Sequence, residues 1–225
     1  MKTKNLQLVG SADSLLYVTF PNLNDGKCIS AFTTRMGGVS RGKYASFNMS
    51  FTNGDNEKTV RENYNILFFA LGLDPERAVL SHQTHTDNIR IVTERDIGKG
   101  IAVQRDYKDV DGLITNLKDV PLVTQFADCV PLLFYDPKAE VIAASHAGWR
   151  GTVQEIGRKT VEKMVSHFGS NPGDIKVAIA PSIGKCCYEV DDPVLKGFDH
   201  IDYIPQSAIF TPKENGRYML DLWTA

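Results

Sequence analysis

Three short stretches of the chain gather the residue types that bind metals or attack electrophiles. They are His82-Gln83-Thr84-His85, Asp128-Cys129 and His146-Ala147-Gly148-Trp149-Arg150-Gly151. One thiolate and two imidazoles suit zinc, and three protein donors leave the fourth tetrahedral position open to a reactant. That is the pattern of a catalytic rather than a structural site. The spacing alone selects no metal. The close C-x2-C pairs of structural zinc sites are absent, and donors spread from position 85 to position 146 equally describe a buried cysteine and two backbone-bonded histidines. The same residues compose a cysteine hydrolase, with Cys129 as nucleophile and His146 or His85 as base. A copper phenol oxidase fits worse. It needs several clustered imidazoles, and the chain has five histidines with no H-x-H pair.

Other residues near these stretches carry recognition chemistry. Arg35 precedes Gly37-Gly38, and Arg150 sits just ahead of a helix. A guanidinium fork matches phosphate oxygens, and a helix start after Gly151 adds amide donors. Each arginine is equally a surface ion-pair residue. No G-x4-G-K-[ST] loop occurs, so a phosphate bound here is a small substrate rather than a nucleotide triphosphate. Asp128 is placed to orient a ligand or to cap a turn. Asn48 and Gln83 read as base- or sugar-binding residues or as turn residues, and Trp149 as a purine platform or a core tryptophan. Cys186 and Cys187 are assigned to packing, and His167 and His200 to the surface or core.

The elements that must position these residues follow from hydrophobic periodicity. Val60, Tyr64, Leu67, Phe68 and Leu71 form one helical stripe over residues 57–71, closed by Gly72. Residues 152–168 give a second helix with Ile156, Val161, Met164, Val165 and Phe168 inward. Strands are expected at 15–20, 29–34, 78–80, 89–92, 112–115, 121–124 and 177–180. The apolar runs 130–135 and 141–145, separated by Asp136-Pro137, predict a hairpin. Hairpins mixed with helices predict an α+β fold, a single domain with mixed β-sheets flanked by helices over residues 1–225.

Composition narrows the function classes. With 42% hydrophobic and 23% charged residues, the chain has the ordinary mix of a globular protein. A net charge of −2 gives no broad nucleic-acid or membrane footprint. No apolar region follows the lysines of the first ten residues, and no run reaches the length of a membrane span. Four cysteines, two of them adjacent, form no disulfide framework, which predicts a reducing cytoplasm. Oligomeric state is left open.

Six segments appear together in a telling order: Phe32-Thr33-Thr34-Arg35-Met36-Gly37-Gly38-Val39-Ser40, Gln83-Thr84-His85, Asp109-Val110-Asp111-Gly112, Ala127-Asp128-Cys129-Val130-Pro131, the 146–151 segment, and Pro181-Ser182-Ile183-Gly184-Lys185-Cys186-Cys187-Tyr188-Glu189-Val190. From about residue 15 onward, the chain resembles the laccase-domain (YfiH/YlmD-like) proteins. These were once labelled polyphenol oxidases and are now regarded as purine nucleoside phosphorylases. The resemblance implies one zinc on His85, Cys129 and His146, with His85 rather than His82 because the family ligand stands two after the glutamine. It implies a catalytic set of these three with Arg35 and Arg150. The implied substrates are adenosine, inosine and the methylthio analogue, split by phosphate into free base and ribose 1-phosphate, with some deamination of adenosine. The usual deaminase signature H-x-E…P-C-x-x-C is absent, so any deamination uses a different site. Family members usually continue past a motif written here as Leu220-Asp221-Leu222-Trp223. The expectation is therefore a domain without the family's C-terminal tail, less stable or prone to associate; a form stripped of catalysis, serving only as an interaction scaffold, is the remaining alternative.

Overall fold

The computed structural model describes residues 6–10 and 14–225; the first five residues, part of the stretch read above for a leader, lie outside it. The N-terminal part is a small antiparallel sheet of β1 (Gln7–Val9), β2 (Tyr17–Thr19) and β3 (Phe32–Thr33). Helix α1 (Glu57–Leu71) follows. The Asn56 side chain caps its first turn by accepting from the Lys58 amide, and Gly72, in the left-handed conformation at φ 67°, closes it. Its stripe of Val60, Tyr64 and Phe68 packs on Ala78, Leu80 and Ile101.

Next come β4 (Val79–Leu80), β5 (Ile89–Ile91), β6 (Gly112–Thr115), β7 (Leu122–Val123), β8 (Val130–Asp136) and β9 (Val141–Ala147). Then follow α2 (Trp149–Val153), α3 (Ile156–Phe168), β10 (Lys176–Ile179), β11 (Glu189–Val190), α4 (Asp192–Gly197), α5 (Gln206–Ile209), β12 (Phe210–Pro212) and β13 (Tyr218–Leu220). The central sheet has the order β10-β8-β9-β6-β5, parallel only between β5 and β6. Period-two alternation sends the two faces of β8 to different cores. Leu132 and Phe134 join the cluster that includes Ile156 and Met164 of α3, whereas Leu133 and Tyr135 meet Phe20 and Phe32 of the N-terminal part. The fold is α+β in one domain, as the element order predicts.

Several boundaries differ from the sequence expectations. The helix expected over 152–168 starts earlier and is broken: Glu155 adopts a left-handed backbone (φ 57°, ψ 41°) between α2 and α3. A left-handed glutamate carries no local sequence signal, because the residue types that mark this conformation are glycine and, less often, asparagine or aspartate. The strands expected at 15–20 and 29–34 shrink to the segments that actually pair, Tyr17–Thr19 and Phe32–Thr33. Strand β9 runs on to Ala147, so His146 lies within the strand rather than in the connection after it.

Candidate metal centre

Register brings the first two donors together. In the β8–β9 hairpin Val130 pairs with Ala147 and Pro131 with His146, which places Cys129, one residue before β8, beside the end of β9. His85 arrives from the connection between β4 and β5. One ligand atom from each of His85, Cys129 and His146 lies within 4.8 Å of the others, the one such trio among the described residues. Cys129 Sγ is 3.8 Å from His85 Nε2. The two imidazoles meet edge to face with centroids 4.9 Å apart. Burial is graded across the cluster: His146 is buried, Cys129 half-buried and His85 exposed, so the cluster opens to solvent on the His85 side.

Asp111 organises the centre and was missed as a functional residue at the level of sequence. Wholly buried just before β6, it receives the amides of Thr84, His85 and Thr86 and the Thr86 hydroxyl on its carboxylate. Its Oδ1 lies 2.8 Å from His146 Nδ1, and its carbonyl accepts the His146 amide. The Nδ1 bond turns Nε2 of His146 toward the other two side chains of the trio, the second-sphere carboxylate–histidine pairing common at metal sites. The three amide bonds also hold His85 at φ 65°. A left-handed L-residue costs about 1–2 kcal/mol, while hydrogen bonds to a charged group contribute about 1.5–3 kcal/mol each, so the carboxylate outweighs the strain.

The electrostatics agree with this division of labour. Burial opposes charge on His146, yet the Asp111 and Cys129 hydrogen bonds prevail and raise it to about 9. Burial opposes ionisation of Asp111 too, but His146 and the loop amides hold it at about 2. His85 is lowered by burial first, then by the charges of His146 and Arg150, and so favours the neutral form that coordinates metals.

Gly148 supplies the space. A Cβ there would stand 2.8 Å from His85 Cδ2 and 3.0 Å from Cys129 Sγ. With φ −71° its backbone suits any residue; only the closeness of two donors requires glycine. This cradle, with its set of one thiolate and two imidazoles, fits a zinc ion held by three protein ligands. Phe126, 5.5 Å from the His146 ring, forms an apolar wall.

The other sequence candidates are placed as follows. Arg150 is exposed, has no ion-pair partner among the described residues, lies over the Trp149 ring at 4.4 Å, and is near enough for its charge to act on His85. Trp149 lies against Gly197 and packs, half-buried, on the cluster that includes Val153 and Ile156. The exposed Arg35 donates to the Ala45 carbonyl, away from the hydrogen bonds of the trio. Gln83 is tied to Ser81 and to both backbone groups of Gln125. Gln125 in turn reaches the Met49 carbonyl, so the loop carrying Asn48 is stitched to the Gln83 loop. Asn48 itself bonds Asn53 and Asp55. Asp128 has an exposed side chain, while its carbonyl accepts the Ile183 amide. His82 accepts the Asp109 amide on Nδ1 and His200 lies 3.1 Å from the Val153 carbonyl, so both stand outside the trio.

An α+β domain with a thiolate and two imidazoles converging at strand ends belongs to the class of proteins with a candidate single-ion metal centre. The family model described as "Multi-copper polyphenol oxidoreductase laccase" matches residues 29–225, and the chain belongs to that family. "Purine nucleoside phosphorylase YlmD" of Bacillus subtilis (strain 168) is 40% identical over 207 residues, covering 89% of this chain and 72% of the relative. "Adenosine deaminase RL5" from an unknown prokaryotic organism is 33% identical over 199 residues, 88% of this chain and 76% of that protein. The crystal structure of the hypothetical protein YfiH of Bacillus licheniformis superposes with a TM-score of 0.87 at 34% identity, covering 96% of this chain and 80% of that one. No helix among the described residues is long and apolar enough to cross a membrane.

Proposed function

We propose that this chain is a zinc-dependent purine nucleoside phosphorylase of the cytoplasm, acting on adenosine, inosine and methylthioadenosine, with adenosine deamination as a side activity. The observation that carries this reading is the convergence of His85, Cys129 and His146 around the space that Gly148 leaves. The relatives support the chemistry: those of Bacillus subtilis and Bacteroides thetaiotaomicron are named purine nucleoside phosphorylases and another an adenosine deaminase.

Zinc, when bound by the trio, supplies Lewis acidity toward whatever takes the fourth position. The chain's own residues do the rest. Asp111 fixes the tautomer and orientation of His146. Arg150, a cation with no carboxylate partner among the described residues, binds phosphate beside the cluster, and Arg35 is the second phosphate ligand. Their positive charge holds the anion against the cationic sugar carbon that develops as the glycosidic bond breaks. Asn48, Gln83 and Asp128 contact base and sugar. A single trio of donors, with no second cluster among the described residues, favours one ion over a multicopper array.

Metal-assayed protein incubated with adenosine and phosphate tests this. Adenine and ribose 1-phosphate are expected, with inosine as the minor product. No turnover of adenosine or inosine in a metal-replete sample would overturn the proposal.

A further inference from the structure

The turn from Gly184 to Tyr188 carries two cysteines that neither the packed cores nor the metal centre use. Cys186 and Cys187 are exposed free thiols with Sγ atoms 3.2 Å apart. Their backbone is braced. The amides of Cys187 and Tyr188 both donate to the Gly184 carbonyl, Ile183 donates to the Asp128 carbonyl, and Leu220 donates to the Tyr188 carbonyl. A fixed turn thus presents a sulfur pair to solvent.

Two geometric facts decide what such a pair binds. Adjacent Cα atoms lie about 3.8 Å apart, short of the roughly 4.4–6.8 Å that a relaxed disulfide spans, so direct closure is strained. With metal–sulfur bonds of about 2.3 Å, sulfurs 3.2 Å apart subtend roughly 88° at a shared ion. That angle is too narrow for tetrahedral zinc and far from a linear two-coordinate ion. It matches a pyramidal centre whose bonds stand near a right angle, the geometry of trivalent arsenic.

We propose that Cys186 and Cys187 form a chelating dithiol site for trivalent, pyramidal thiophiles, the organoarsenicals being the ligand class. With an arsine oxide, two S–As bonds form and the arsenic–oxygen bond breaks. Both thiol protons leave with that oxygen as water. Arsenic stays trivalent, and no electrons are transferred.

Incubating the reduced full chain with phenylarsine oxide, followed by intact-mass analysis and thiol counting, tests the site. One phenylarsenic per chain is expected, with loss of two free thiols. The adduct should map to the tryptic peptide of residues 186–196, survive excess glutathione and be removed by 2,3-dimercaptopropanol. Cys186→Ser and Cys187→Ser, both at exposed positions, should each weaken capture by roughly a hundredfold, because the second sulfur no longer acts intramolecularly. Cys28→Ala should leave capture unchanged. An adduct on Cys28 or Cys129, stripping by glutathione, or wild-type capture in either serine variant overturns the proposal.

Discussion

Asp111 grips His146 twice, accepting its amide on the backbone carbonyl and standing 2.8 Å from its Nδ1 with the carboxylate. The same carboxylate accepts three consecutive amides of the His85 loop. One buried side chain therefore sets the positions of two candidate metal donors that come from different parts of the sequence.

Asp111→Asn tests that role. The carboxamide keeps one acceptor oxygen but turns the other into a donor, so either the His85 amide and His146 or the Thr84 and Thr86 amides lose their partner while the side chain keeps its volume. Zinc affinity should fall by about 10–100-fold, read by competition with a chromophoric chelator. Unchanged affinity would show that the carboxylate does not position the donors.

Gly148→Ala isolates the steric argument, since the backbone at this position accepts alanine without strain. The added methyl would crowd His85 and Cys129 at about van der Waals overlap. Zinc stoichiometry per chain should drop well below that of the parent, while the far-UV circular dichroism stays the same. Full zinc occupancy in this variant would place the ion elsewhere.

Metal binding should release protons with a definite sign. His146 without metal titrates at about 9, so at pH 7.5 it carries a proton that zinc must displace. Affinity therefore rises with pH, by about tenfold per unit up to pH 9 from this group alone. His85, lowered from its ordinary value, adds no proton at that pH. Calorimetry in buffers of different ionisation enthalpy should count at least one proton released per zinc. Zero would contradict the His146–Asp111 pairing as drawn.

Arg150→Ala separates the two proposed reactions. Loss of a charge-assisted phosphate contact, about 1.5–3 kcal/mol, should raise the KM for phosphate by about 10–100-fold. Deamination, which consumes no phosphate, should keep its rate to within a few-fold. Equal losses in both activities would mean that Arg150 serves the centre itself rather than the anion.

Much of this arrangement was legible in the chain. The hairpin of β8 and β9 follows from two apolar runs around Asp136-Pro137, and α1 from its stripe over 57–71 closed by Gly72. The trio was not selected by spacing; the choice of His85 over His82 came from resemblance, and the structure supplies a local reason in the bond from the Asp109 amide to His82 Nδ1. Asp111 stood within a quoted motif with no role assigned, because its partners at residues 84–86 and 146 become neighbours only after the sheet has formed. The break at Glu155 was invisible for a related reason: periodicity reports which face is buried, not where the backbone turns left-handed.

The most direct test is zinc K-edge X-ray absorption on the protein purified without added metal, paired with its metal content. One zinc per chain, with a single sulfur at about 2.3 Å and two imidazole nitrogens at about 2.0 Å, is the predicted result. A first shell without sulfur, or copper in place of zinc, would contradict it.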